Sequence, residues 1–177
     1  MPSQFPHHYR ATVTRTHPSR SRVEADGVAP LSAGTSRHFD GDATTWSPEQ
    51  LLLSSLGTGM LTTFEAFAAR DGVEVSAFTA VASGEVERTA DGLEFTSIVL
   101  SIDLTVGGNV GAVDRALEDA KAFCLILTSL KVPVMVETQV TYESTVAPAS
   151  RPSYAGGLAL VTDDWTPAEE DLDLRAS

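Results

Sequence analysis

The chain has 177 residues, 42% of them hydrophobic, which suits one folded domain or a domain with a tail. A formal net charge of −12 argues against a general nucleic-acid binder and favours solubility. A single cysteine, Cys124, excludes an intrachain disulfide and any metal site built on several cysteines.

Residues 1–22 carry Arg10, Arg15, Arg20 and Arg22 with no acid before Glu24. They read as the charged solvent face of edge strands, which guards against edge-to-edge pairing. His8 to Thr16 is rich in β-branched and aromatic residues and predicts a strand. His17-Pro18-Ser19 predicts a turn, Arg20 to Ala25 the return strand, and Asp26-Gly27 a second turn. Leu31 to Thr45 is polar and reads as irregular. Phe39 and Trp46, before the next helix, read as core or interface packing.

Ser47 to Gly72 predicts one long helix. Ser47 can cap the first amides, Pro48 suits the first helical position, and Gln50 completes a capping box. Gly72 can take the left-handed turn that ends the helix. Leu51, Leu52, Leu53, Leu56, Met60, Leu61, Phe64 and Phe67 do not keep to one narrow face, so the helix is expected to be buried most of the way round. Ser, Thr, Gly and Glu interrupt its apolar run, and no membrane span is expected. Gly57 and Gly59 each cost the helix roughly 1 kcal/mol relative to alanine, which points to close approach of another group.

Val75 to Arg88 and Leu93 to Val106 predict a hairpin across Asp91-Gly92. Ile98, Leu100, Ile102, Leu104 and Val106 alternate with polar or smaller residues, the pattern of a sheet covered on one face. Asn109 can cap a second helix, Val110 to Leu130, whose Val113, Leu117, Ala120, Cys124 and Leu127 recur at helical spacing. Val134 to Tyr142 predicts a last strand. Residues 144–177 are acidic and broken by Pro and Gly, and read as a tail that is partly disordered or docked through Tyr154, Leu158, Leu160 and Trp165. The domain proper is therefore 1–143. Strands and helices do not alternate as βαβα, so the class is α+β with a mainly antiparallel sheet. One sheet cannot cover a helix apolar most of the way round, and a homodimer is expected to cover the rest.

Two stretches carry a resemblance. Trp46-Ser-Pro-Glu-Gln-Leu-Leu-Leu-Ser-Ser-Leu-Gly-Thr-Gly and Lys121-Ala-Phe-Cys-Leu-Ile-Leu-Thr-Ser-Leu-Lys131 resemble the OsmC/Ohr family of osmotically induced and organic hydroperoxide resistance proteins. The likeness runs from about Tyr9 to Tyr142. It implies an OsmC-like fold, an intertwined homodimer with the long helices at its centre, and a thiol-dependent, peroxiredoxin-like reduction of hydroperoxides in oxidative stress. In that chemistry a cysteine on the first helix attacks the peroxide and a cysteine on the second resolves the sulfenic acid. An arginine and a glutamate activate the thiolate.

By resemblance, Cys124 matches the resolving cysteine, Glu49 the activating glutamate and Arg37 the activating arginine. The attacking position is Gly59, and glycine offers no nucleophile. The resemblance thus implies a family member without the two-cysteine cycle, a pseudoenzyme. Its expected residual role is to bind an apolar small molecule, or an organic hydroperoxide, at the dimer interface beside Ser55, Gly59, Met60 and Thr63. Two alternatives stand beside it: a one-cysteine peroxidase using Cys124 with an external thiol, and an inactive structural paralogue. Phe123, Leu125 and Ile126 suggest apolar surroundings for Cys124 and so a packed sulfur rather than a reactive one. Glu49 also suits a helix N-terminus through the dipole alone, and Arg37 could simply pair with Glu49 or Asp42. No cofactor is implied, and His7, His8, His17 and His38 lack metal-ligand spacing. With no apolar signal region at the N-terminus, a cytoplasmic location is expected.

Overall fold

The computed structural model describes residues 6–41 and 43–143. The expectations for residues 144–177 lie outside the described residues. Strands β1 (Thr12–His17), β2 (Arg20–Glu24) and β3 (Leu31–Gly34) form one antiparallel sheet. A short 3-10 turn, Arg37–Phe39, leads to helix α1 (Pro48–Asp71). Strands β4 (Glu74–Thr89) and β5 (Gly92–Gly107) follow, then α2 (Val110–Phe123), α3 (Leu125–Ser129) and β6 (Val134–Tyr142). The second sheet has the order β4-β5-β6. The architecture is α+β.

Three details depart from the sequence reading. The β3 stretch, read as irregular, is a strand. It pairs with β2, and Trp46 N–H donates to Ser32 O at 3.1 Å while Gly34 N–H donates to Trp46 O at 2.8 Å. The antiparallel pairing is incomplete, because β6 lies parallel to β5, with Ile98 opposite Val134 and Val106 opposite Tyr142. A parallel neighbour needs a crossover, and α2 with α3 supplies it. The second helix is not continuous. It breaks at Cys124, where ψ is 110°. Cys124 N–H still closes on Ala120 O, and Cys124 O accepts from Thr128 N–H and hydroxyl. No glycine or proline marks the break.

The ends of α1 are as the sequence dictates. The Ser47 hydroxyl accepts from Gln50 N–H at 3.2 Å, and Gln50 Oε1 accepts from Ser47 N–H at 3.0 Å. Gly72 caps the other end at φ 70°, the left-handed region that a side chain resists. Asn109 caps α2 by accepting from Gly111 N–H at 2.9 Å.

The core lies between the β4-β5-β6 sheet and the helices. Ile98, Leu100, Ile102, Leu104 and Val106 of β5 are all buried, facing Leu56, Met60, Phe64 and Ala68 of α1 and Ala112, Val113, Ala116 and Leu117 of α2. Each large side chain buried this way contributes about 1.5–3 kcal/mol. At the far end of α1, Arg70 donates from Nε and Nη2 to both Asp71 oxygens, at 2.7 and 2.8 Å, and from Nη2 to Asp119 of α2 at 2.6 Å. Arg115 approaches Asp71 at 3.5 Å. The Arg70 hydrogen bonds hold the Asp71 carboxyl below its ordinary value of 3.8, with the charges of Arg70 and Arg115 assisting.

Against the sequence expectation, α1 is by length and composition long and apolar enough to cross a membrane, and 22% of its most apolar stretch is buried within the chain. Its Leu56–Met60–Phe64–Ala68 face is committed to the protein core. The β1 strand is exposed along its whole length, and Ala33 is the only buried residue of the first sheet.

Two outcomes are expected. Ser47→Ala removes one half of the capping box and should cost about 0.5–2 kcal/mol. In a scan this is a fall in melting temperature of roughly 2–4 °C per kcal/mol. Because Asp71 is held ionised in the folded state, the unfolded chain binds its proton more readily. The stability it contributes is full above the unfolded value and is lost as pH falls below 3.8 toward the folded value. Urea midpoints between pH 7 and pH 3 should therefore fall less steeply for Asp71→Asn than for the native chain.

Candidate functional site

Two groups of candidate residues lie at different points of α1. The first is where α1 meets the break between α2 and α3. Cys124 is fully buried and its thiol is free. Gly59 faces it: a Cβ built on Gly59 would lie 3.3 Å from Cys124 Sγ and 3.0 Å from Ile126 Cγ1. The helix break gives this contact its form, because Cys124 turns inward while Ile126 of α3 covers the glycine. Gly57, by contrast, has only ordinary contact, with Ala80 at 3.6 Å. Met60 is fully buried in the core, and Ser55 and Thr63 are half-buried. The Ser55 hydroxyl donates to Leu52 O and the Thr63 hydroxyl to Gly59 O, both at 2.7 Å, so each is occupied within α1.

Phe123 and Leu125, the neighbours of Cys124, are 67% and 64% exposed. The apolar surroundings of the sulfur come instead from Ile126 and the core. Phe123 lies with its ring 5.7 Å from Phe67 of α1, and Arg70 stacks on the other ring at 4.7 Å.

The second group surrounds the N-terminus of α1. Glu49 occupies the first turn, where the helix dipole favours an anion. Arg37 and Phe39 come from the 3-10 turn, and Gly84, Val86, Leu93 and Phe95 from the far end of the β4–β5 hairpin. Together they line a cavity of about 880 Å³. Gly84 shapes it, since a Cβ there would come within 2.6 Å of Phe95 Cε1. Glycine lets that ring lie across the strand. Glu49 Oε2 and Ser36 Oγ are buried without a hydrogen-bond partner among the described residues. Arg37 is exposed, and no ion pair between Arg37 and Glu49 is present among the described residues. This cavity had no sequence signal, because its hairpin wall comes from more than thirty residues beyond Glu49 along the chain.

Glu49 and Gly59 are ten residues apart on one helix, about 15 Å along its axis. Within one chain, Arg37 and Glu49 therefore do not share a site with Gly59 and Cys124. No cluster of metal-ligating side chains occurs among the described residues.

The profile of the family described as OsmC-like protein matches residues 40–139. The chain belongs to the OsmC-like family. Its fold is similar to that of an OsmC-like protein of unknown function from Vibrio cholerae (19% identity, TM-score 0.69), covering 76% of this chain and all of that one. It is also similar to an organic hydroperoxide resistance protein from Elizabethkingia anophelis (14%, TM-score 0.62; 81% of this chain, 100% of that one). A third likeness is to the organic hydroperoxide resistance protein OsmC of Legionella pneumophila (17%, TM-score 0.62; 78% and 99%). No curated protein matches the chain. Through these neighbours the OsmC-like fold is associated with hydroperoxide resistance and redox proteins.

The Gly59–Cys124 contact can be tested directly. In a disulfide the Cβ of one cysteine lies about 3 Å from the sulfur of the other. A Cβ at position 59 would lie 3.3 Å from Cys124 Sγ, within bonding reach once Ile126 yields by a few tenths of an ångström. Gly59→Cys should form an intramolecular disulfide under mild oxidation, with neither thiol alkylated by iodoacetamide in denaturant until the protein is reduced. Two thiols that stay free would show that the helices meet differently.

Proposed function

We infer that this OsmC-like chain does not reduce hydroperoxides by the two-cysteine route and serves instead as a binding protein for an apolar small molecule. The observation that carries this reading is the packing at Gly59. The position holds no sulfur, and Ile126 packs beside Cys124, 3.0 Å from where a Cβ of residue 59 would stand. Cys124 is sealed from solvent in the chain, which disfavours a one-cysteine cycle because a thiolate must reach both peroxide and reductant.

The binding role belongs to the cavity at the start of α1. Phe39, Leu53, Val86, Leu93 and Phe95 give it an apolar wall, with Arg37 and Glu49 at a polar end. Its volume falls in the range of small-molecule sites, about 300–1,000 Å³.

The working unit is a homodimer. Three features support it: the uncovered apolar surface of α1, the exposed first sheet, and the exposed Phe123 and Leu125. A large apolar surface on a soluble chain marks an interface. A two-fold arrangement of α1 helices would also set Glu49 of one protomer near Gly59 of the other, which the 15 Å separation (about ten residues of helix) denies within one chain.

A peroxide-consumption assay with cumene hydroperoxide and dithiothreitol tests the chemical half of this reading. No turnover above the protein-free rate is expected. Turnover that Cys124→Ser abolishes would establish the one-cysteine mechanism and overturn it.

A further inference from the structure

The hairpin wall of the cavity at the start of α1 contains two departures from regular strand structure, and both act on one side chain. Along β5 the buried row is even-numbered, from Ile98 to Val106, so strict alternation would turn Phe95 to the outer face with Ser97 and Val99. The register prevents this. Glu85 lies opposite Ser97 while Val86 lies opposite Phe95, which leaves Thr96 as one extra residue on β5. The Thr96 hydroxyl donates to Glu85 O at 3.5 Å. Such a bulge reverses the faces of the residues beyond it. Phe95 and Leu93 thereby join Gly84 and Val86 on the cavity side.

The second departure is Gly84. Its backbone is that of an ordinary strand, without positive φ, so the course of the chain does not require glycine there. The ring does: a Cβ on Gly84 would stand 2.6 Å from Phe95 Cε1 and 2.7 Å from Cδ1. Glycine inside a strand weakens it and marks the close approach of another group. Ile98, opposite Gly84 in the register, is buried in the core, so a ring pushed off Gly84 has the cavity as its free space. These contacts lie within one hairpin and are the same in a single protomer and in a dimer.

We propose that Phe95 is the specificity-determining residue of this cavity: its ring, aimed by the Thr96 bulge and seated on Gly84, ends the space open to the apolar chain of a ligand. Gly84 is a positioning residue that acts through the ring. The inference rests on the reading of the cavity as a ligand site, and the experiment separates the two.

Straight-chain primary alcohols of six to fourteen carbons, carried by cyclodextrin, are titrated calorimetrically into the full-length protein, and each variant is compared with the native chain at every length. Native affinity should rise with chain length and then level off. Phe95→Ala should keep rising past that length, gaining about fourfold for the next carbon, the value of one buried methylene. Phe95→Leu should level off between the two. Gly84→Ala should level off at a shorter chain than the native protein, because its methyl drives the ring into the cavity. The double variant Gly84→Ala/Phe95→Ala should behave as Phe95→Ala, since the methyl then has no ring to displace. Thermal melts and light scattering report folding and oligomeric state. A series unchanged by Phe95→Ala and Phe95→Leu would overturn the assignment and leave the ligand site standing. An unchanged series with an altered oligomeric state would overturn it in favour of a partner contact for the ring. Native affinity still rising at fourteen carbons would also contradict it. If no alcohol binds the native protein, the ligand-site reading falls and the inference with it.

Discussion

The structure depends on covering one helix. The apolar residues of α1 are spread around it, and a single sheet can shield only one side. Leu56, Met60, Phe64 and Ala68 take that side, against the alternating apolar row of β5. The amphipathic α2 closes a second side, and Arg70 ties the end of α1 to Asp119 of α2. What remains uncovered is apolar, and the proposed dimer follows from that remainder.

The same helix carries both candidate sites, and they differ in kind. At its middle, Gly59 lacks the atom the resemblance leads one to expect, and Ile126 lies where it would crowd a Cβ at that position. At its start, Glu49 and Ser36 keep buried polar atoms with no partner among the described residues, beside an apolar volume. A tightly packed interior with an intact thiol is a poor place for redox chemistry, whereas an unsatisfied polar pair beside a cavity is suited to recognition.

The sequence made local features legible and left non-local ones hidden. Ser47, Gln50 and Gly72 bound α1 through hydrogen bonds and backbone geometry that span only a few residues. The alternation from Ile98 to Val106 showed the buried face of β5 for the same reason. The break at Cys124 carries no glycine or proline, and tertiary packing sets its ψ, so periodicity ran straight through it. The Leu31–Gly34 strand is short, has no β-branched or aromatic residue, and exists through bonds to β2 and Trp46. The parallel register of β6 depends on the crossover above it. Gly59 stood out as a helix glycine and gained meaning through the family resemblance, while its contact with Ile126 needed the fold. The cavity beside Glu49 is closed by Phe95 lying over Gly84, a contact that joins two strands and has no signature in either.

The central claim is that this chain retains an OsmC-like fold without a reactive thiolate. Dimedone trapping tests it most directly: the folded protein is exposed to excess cumene hydroperoxide with dimedone present, and Cys124 is then examined by mass spectrometry. The account predicts an unmodified Cys124 in the native chain, with labelling only after denaturation. A dimedone adduct on Cys124 of the folded protein would show that a sulfenic acid forms there and would contradict it.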